Sequence, residues 1–282
     1  MNYAPMPSAG SCASAWLNAA RTLFDNGAIN NMILHIEDPT SRSKEDDAIL
    51  SEVDGFLRDH GAYPLSTVAN TIFPESLYTP GKPELLYERY DRSFKKIKAK
   101  APDWGRYFDR MINWPGSDGR NHGQLQTLIE NLNKYGPQID RPQPYYNMYE
   151  LTLFHPEKDA KKPLGRQCLS FIEVKPEKTE DGVVLHMTAL YRSHYYVART
   201  LGNLIGLGRL LRFIAMETGC KVGTLTIHST YAEIDTGVTN AKKCSAAWGR
   251  KKVGKLLSRC EAITRVAATP LDQGAAVAAA EV

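Results

Sequence analysis

One of five cysteines stands at the mouth of an apolar run: Cys168 follows Arg166-Gln167 and precedes Leu169-Ser170-Phe171-Ile172-Glu173-Val174. A thiol attacks only as its thiolate, and an unperturbed cysteine has a pKa of about 8.5, so it needs help to react at neutral pH. Arg166 and Arg192 supply that help if both converge on Cys168, because neighbouring cations favour the thiolate and make a nucleophile of it. The other fate of a lone cysteine is to fill a core position, and the residues alone leave both open. Rival chemistries find less support. The seven histidines show no HxxxH or HxH spacing and the cysteines no CxxC, so no metal site is expected. Ser41, Ser170 and Ser193 lack a nucleophile elbow. Gly202, Gly206 and Gly208 lie inside an apolar helical pattern rather than in a strand-to-helix turn, which suits close helix packing and not a dinucleotide.

The elements that must position Cys168 are legible around it. Residues Leu169 to Val174 alternate as a strand, and a second strand at Val183 to Leu190 runs into Tyr191-Arg192-Ser193. From Leu201 to Thr218 apolar residues recur at helical spacing and nearly all round, which predicts a helix buried in the middle of a domain. Gly219 stops it, and Thr224 to His228 starts a third strand. Upstream, Ser14 to Asn26 reads as a helix and Met32 to Ile36 as a strand. A polar loop, Glu37 to Ser43, follows, and Gln124 to Leu132 reads as another helix. Asn147 to Phe154 is expected to be a strand leading through the loop His155 to Gly165 back to Cys168.

Gln167-Cys168-Leu169, Arg192-Ser193, Asn203 at the start of the central helix and the Gly-led strand Val222-Gly223-Thr224-Leu225-Thr226-Ile227, in this order and spacing, resemble the thymidylate synthase superfamily. Tyr63-Pro64-Leu65-Ser66-Thr67 resembles that family's aromatic-Pro-Leu-x-Thr segment. Trp104-Gly105-Arg106-Tyr107-Phe108 stands where the family has an aromatic-Gly segment lining the site. The resemblance covers about residues 29–235. It implies an α+β fold, a mixed sheet packed against a buried central helix and paired back to back as a homodimer. It also implies a mechanism, in which Cys168 adds to C6 of a pyrimidine nucleotide so that C5 attacks a one-carbon unit carried by methylenetetrahydrofolate. Arg42, Arg192, Ser193 and a partner chain's Arg141 would hold the phosphate, since guanidinium and hydroxyl donors suit phosphate oxygens, and Arg166 would join the substrate-binding residues. Asn203 would bond the base, leaning towards uracil, because an amide both donates and accepts. Glu84, in Glu84-Leu85-Leu86-Tyr87, would organise proton transfer around the base, and Glu233 and Asp235 would lie at the sugar edge.

The chain departs from the family pattern on one side. The aspartate expected two residues after Arg192-Ser193 is Tyr195, and the glycine expected further on is Arg199. The His-x-Tyr expected after the last strand reads Glu233-Ile234-Asp235, and no folate-closing C-terminal segment is recognisable. These changes cluster on the folate and sugar side, while the thiol and phosphate side is kept. That pattern suits a specialised one-carbon transferase, folate-independent chemistry at C5 by the same thiol, or a nucleotide-binding protein without turnover.

Composition sets the frame. With 282 residues, 43% hydrophobic and 23% charged, the chain can bury one sizeable core and reads as an ordinary soluble protein. No secretory signal opens it, and no run approaches the ~20 apolar residues of a membrane span. A cytoplasmic protein with reduced thiols is expected, comprising one domain over 1–265 and a disordered Ala-rich tail over 266–282. The net charge of +4 is concentrated between Lys242 and Arg259, where a solvated helix is a better account than nucleic-acid binding.

Overall fold

A computed structural model describes residues 1–98, 106–116, 119–138, 144–161, 166–236 and 248–267. In chain order its strands are β1 (Ala4–Pro5), β2 (Ile29–Ile36), β3 (Trp114–Pro115), β4 (Asn121–His122), β5 (Glu150–Thr152), β6 (Leu169–Thr179), β7 (Gly182–Tyr191), β8 (His194–Tyr195) and β9 (Lys221–Glu233). Its helices are α1 (Cys12–Asn26), α2 (Lys44–Asp59), α3 (Leu65–Ala69), α4 (Pro83–Lys98), α5 (Tyr107–Ile112), α6 (Gln124–Tyr135), α7 (Pro156–Asp159), α8 (Leu201–Thr218) and α9 (Gly249–Ala267).

The main sheet runs β1-β2-β9-β7-β6-β5, with β8 also paired to β9. It is mixed. β7 and β9 are parallel, whereas β2 meets β9, and β6 meets both β7 and β5, antiparallel. Parallel neighbours cannot be joined by a hairpin and need a crossover, which α8 supplies between β7 and β9. Thirteen of its residues, from Leu201 to Thr218, are buried, as the all-round apolar pattern demands. Gly219, at φ 65°, ends it in the left-handed conformation that glycine adopts without strain. This is the α+β arrangement expected, a mixed sheet against a buried central helix.

Close packing of α3 on α8 depends on small residues. A Cβ at Gly202 would meet the Val68 side chain at 2.6 Å, and one at Gly206 the Ala69 carbonyl at 2.8 Å. The glycines of α8 are therefore packing residues, and they bring α3 close to the start of the central helix. Strand side chains alternate: Leu225, Ile227 and Ser229 of β9 face the helices, while Thr226 and His228 face away. On that second face Ile33, Phe171, Val184 and Leu190 remain half-exposed.

Several expected boundaries extend. The strands at 169–174 and 224–228 continue to Thr179 and Glu233, and α1 begins at Cys12 behind a Ser11–Ser14 capping box. By contrast, the expected strand 147–154 is confined to Glu150–Thr152, and the loop after it contains α7. The basic stretch forms α9 from Gly249 onward. Its Val253, Leu256, Leu257 and Cys260 are buried while Arg250, Lys251 and Lys255 are exposed, an amphipathic terminal helix. Residues 268–282 of the expected tail and Lys242-Lys243 lie outside the described residues.

Candidate active site

Cys168 sits one residue before β6, where that strand's pairing with β7 begins. The Arg192 backbone N–H donates to the Cys168 carbonyl (2.9 Å), so the thiol residue and Arg192 lie side by side across the two strands. The Arg192 guanidinium turns back onto the chain ahead of β6. Its Nε donates to the Gln167 carbonyl (2.9 Å) and its Nη2 to the Arg166 carbonyl (3.1 Å). The Tyr107 hydroxyl oxygen, at the start of α5, accepts from the Cys168 and Leu169 backbone N–H groups (3.2 and 3.3 Å). Helix α5 is itself clamped. The buried Arg110 guanidinium donates to the Leu153 carbonyl (2.5 Å) and to both carboxylate oxygens of buried Asp159 (2.5 and 2.9 Å). Removing one partner of such a pair would leave an uncompensated buried charge, so it fixes where Tyr107 and Arg106 stand.

These groups line a cavity of about 560 Å³ together with Tyr63, Thr67, Val68 and Thr71 from the α3 region. Ser193, His194, Tyr195, Arg199 and Asn203 complete its wall. Among the described residues, four arginines, Arg106, Arg166, Arg192 and Arg199, share this lining with no carboxylate. Arg166 keeps a buried Nε without a hydrogen-bond partner, and the Arg199 guanidinium stands 5.1 Å from the Tyr63 ring centroid. A cleft so charged concentrates anions.

The arginines act on the thiol, but not as simply as their proximity suggests. Burial raises the Cys168 pKa, and Arg192, Arg199 and Arg166 draw it back, leaving the thiol above its ordinary value. The expected lowering by Arg166 and Arg192 is thus present but outweighed, because half-buried sulfur loses more from desolvation than the guanidiniums return.

Asn203 opens onto the cavity from the first turn of α8, 4% exposed, and is tied to a buried histidine. His194, 1% exposed, stacks on Tyr191 with ring centroids 3.9 Å apart and planes 7° from parallel. Its Nε2 lies 3.0 Å from Asn203 Nδ2 and its Nδ1 3.1 Å from Ser229 Oγ. Burial pushes this imidazole down to about 3, so it is neutral at physiological pH.

Of the residues expected at the site, Cys168, Arg166, Arg192, Ser193 and Asn203 are brought together. Others lie elsewhere. Arg42 is exposed on the loop before α2, ion-paired with Asp47, and borders a different, smaller pocket. Glu84 is exposed on the first turn of α4, where a carboxylate complements the helix dipole. The inward face of that helix belongs to Leu86, Tyr90 and Phe94. Asp235 is buried, but its carboxylate accepts from the Val197 (2.8 Å) and Ala198 (3.2 Å) backbone N–H groups of the π-helical turn Tyr196–Thr200. It caps that turn rather than facing the cavity. Glu233 pairs its backbone with Tyr195 and accepts from the Tyr231 hydroxyl, outside the cavity lining. Arg141 lies outside the described residues. His194 and the lining role of Arg199 were not anticipated. Only their neighbourhood, within a dozen residues of Arg192-Ser193, could have flagged them.

No protein-family model matches the chain. Curated archaeal proteins do resemble parts of it. It is 42% identical over 92 residues to the "Putative thymidylate synthase" of Methanosarcina barkeri, covering 28% of this chain and 42% of that protein. Against the protein of the same name from Methanosarcina mazei it is 27% identical over 128 residues, covering 45% of this chain and 51% of that one. Against the protein so named from Methanococcoides burtonii it is 40% identical over 57 residues, 20% of this chain and 26% of that one. The chain spans about half the length, or less, of the curated relatives it matches. Over part of its length it is therefore similar to proteins that carry the name of the family its own motifs resemble.

Proposed function

We propose that this protein transfers a one-carbon group, methyl or hydroxymethyl, to C5 of a pyrimidine nucleotide through covalent addition of Cys168 at C6, as a specialised relative of the thymidylate synthases. The observation that carries this reading is a thiol on the wall of a cavity whose described lining holds four arginines and no carboxylate. A nucleotide phosphate is the natural complement of those arginines, with Arg166, Arg192 and Ser193 donating to its oxygens. Asn203 addresses the base.

The chemistry uses the thiol twice. As the S–C6 bond forms, the C5–C6 electron pair moves onto C5 and charge spreads to O4. C5 then bonds an electrophilic one-carbon unit, whose carrier leaves with the electron pair of the bond it gives up. C5 loses its proton, the C5–H pair re-forms the C5–C6 double bond, and the thiolate departs from C6. A unit at the methylene level ends as hydroxymethyl by taking up water, and as methyl only where the donor also gives a hydride. Because burial leaves the thiol above its ordinary value, proton removal from sulfur accompanies attack.

Methylenetetrahydrofolate is the donor that the resemblance implies, and the described lining does not fit it well. The family's folate-contacting aspartate is replaced by Tyr195, and a guanidinium, Arg199, stands where a glycine leaves room. These two side chains favour a second reading, C5 chemistry by the same thiol with another donor. A second copy of the chain is proposed to cover the sheet face carrying Ile33, Phe171, Val184 and Leu190, which sedimentation would reveal as a dimer.

The test is tritium release from dUMP, UMP, dCMP and CMP labelled at C5, with and without methylenetetrahydrofolate, for wild type and Cys168→Ala. Release that requires Cys168 is expected, and its folate dependence selects the donor. Nucleotide binding without release would leave a binding protein and overturn the transfer reading.

A further inference from the structure

The amide of Asn203 reaches the cavity from one side and a buried histidine from the other. An amide that can turn over reads uracil and cytosine alike, because turning exchanges its donor for its acceptor, as N3–H and O4 of uracil are exchanged for N3 and N4–H₂ of cytosine. One that cannot turn reads a single base. What holds Asn203 is the chain Ser229–His194–Asn203, in which every member is buried, at 0%, 1% and 4% exposure. Asn203 Nδ2 lies 3.0 Å from His194 Nε2, so that nitrogen accepts, and the ring proton of the neutral imidazole must sit on Nδ1, donating to Ser229 Oγ at 3.1 Å. Turning the amide would set Oδ1 against Nε2, two acceptors face to face, unless the imidazole also moved its proton to Nε2 and Ser229 reversed its hydroxyl.

Resting on the function proposed above, we infer that His194 is the positioning residue that selects the base: with its ring proton directed at Ser229, its bare Nε2 holds the Asn203 amide in the orientation that presents the uracil-reading face. Stacking of His194 on Tyr191 keeps the ring in place while it does so. His194 does not itself need to touch the substrate. It acts through the amide, as a carboxylate acts on a metal-ligating histidine by setting which nitrogen carries the proton.

Binding of UMP, dUMP, CMP and dCMP to wild type, His194→Phe, Ser229→Ala and Ser229→Thr separates this from a structural role, with inorganic phosphate as a probe of the arginines alone. Wild type is expected to favour the uracil nucleotides by about tenfold or more, the discrimination typical of one bidentate base contact. His194→Phe, which keeps an aromatic ring on Tyr191, and Ser229→Ala should bring the two bases to within about threefold with phosphate binding retained, and Ser229→Thr, which keeps the hydroxyl, should restore the preference. A base ratio unchanged in His194→Phe, or no preference in wild type, would overturn the inference while leaving the proposed function standing. Failure of every nucleotide to bind would overturn both. Should the variants not fold, ¹⁵N resonances of the wild-type imidazole decide: a protonated Nδ1 with a bare Nε2 is expected, and a proton on Nε2 would refute the lock.

Discussion

Among the described residues a cysteine stands among arginines in two places, and they behave in opposite ways. Cys168 shares a cavity of about 560 Å³ with four arginines and, among the described residues, no lining carboxylate. Cys12 borders a pocket of about 130 Å³ with Arg42, Arg209 and Arg212, but Glu75 takes both Arg209 (3.0 Å) and Arg212, and Asp47 takes Arg42. The Cys12 thiol lies 3.3 Å from the Pro39 carbonyl and is pushed up to about 12 by burial, then by Asp46 and Asp38. Around Cys168 the neighbours oppose burial; around Cys12 they add to it. Residue types alone would make both places thiol sites. The difference lies in whether the guanidiniums already have carboxylate partners, since a neutralised cation neither recruits an anion nor stabilises a thiolate.

Removing each thiol in turn should expose the contrast most sharply. Cys168→Ala should lower C5 tritium release by at least about a thousandfold, the scale of losing a nucleophile, while Cys12→Ala should leave release intact and cost about 1 kcal/mol of stability for a small buried void. Comparable losses of release in both variants would break the comparison. The arginines come next. Arg192→Gln should weaken nucleotide binding by about 10- to 100-fold, as expected for hydrogen bonds to a charged group. Arg209→Gln, on the paired side, should leave the affinity alone and cost at most about 1 kcal/mol in folding, both readable by titration calorimetry and urea melts.

Acid should then find the thiol side first. The folded pKa of His194, about 3, lies below the ordinary 6.5, so the unfolded chain takes up the proton first. The stability this represents is complete above pH 6.5 and is lost as pH falls towards 3. Between pH 7 and 5 the loss should be about 2 kcal/mol. Urea midpoints for His194→Phe should lack that slope, and a slope equal to the wild type's would contradict the burial of a neutral ring. The smallest effect is in reactivity. Iodoacetamide at pH 8 should modify Cys168 faster than Cys12, since burial and carboxylates together suppress the Cys12 thiolate while arginines oppose burial at Cys168. A nucleotide should protect Cys168 alone, and equal rates would erase the distinction drawn between the two regions.

How much could be read beforehand depended on whether a residue's place follows from its own element. Cys168, Arg192 and Asn203 sit at the ends of β6, β7 and α8, whose apolar patterns are strong, so their order carried them to one cavity. Glu84 matched a local motif, but which face of α4 turns inward is set by Leu86, Tyr90 and Phe94 meeting a core assembled from elsewhere. Asp235 was assigned by counting along β9, and the count could not anticipate the π-helical turn whose N–H groups claim its carboxylate. His194 offered no spacing signal because its partners, Ser229 and Asn203, come from a different strand and a helix.

The sequence by itself determined that a thiol precedes a buried strand, that arginines flank it, and that a buried apolar helix lies between two strands. These are properties of periodicity and short spacing, written within single elements. Only the tertiary structure decided which arginines are neutralised, that burial outweighs them at Cys168, and that a histidine buttresses Asn203. Charge pairing and desolvation join residues far apart in the chain, as Glu75 and Arg212 are, and their balance exists only once the core that excludes water has closed.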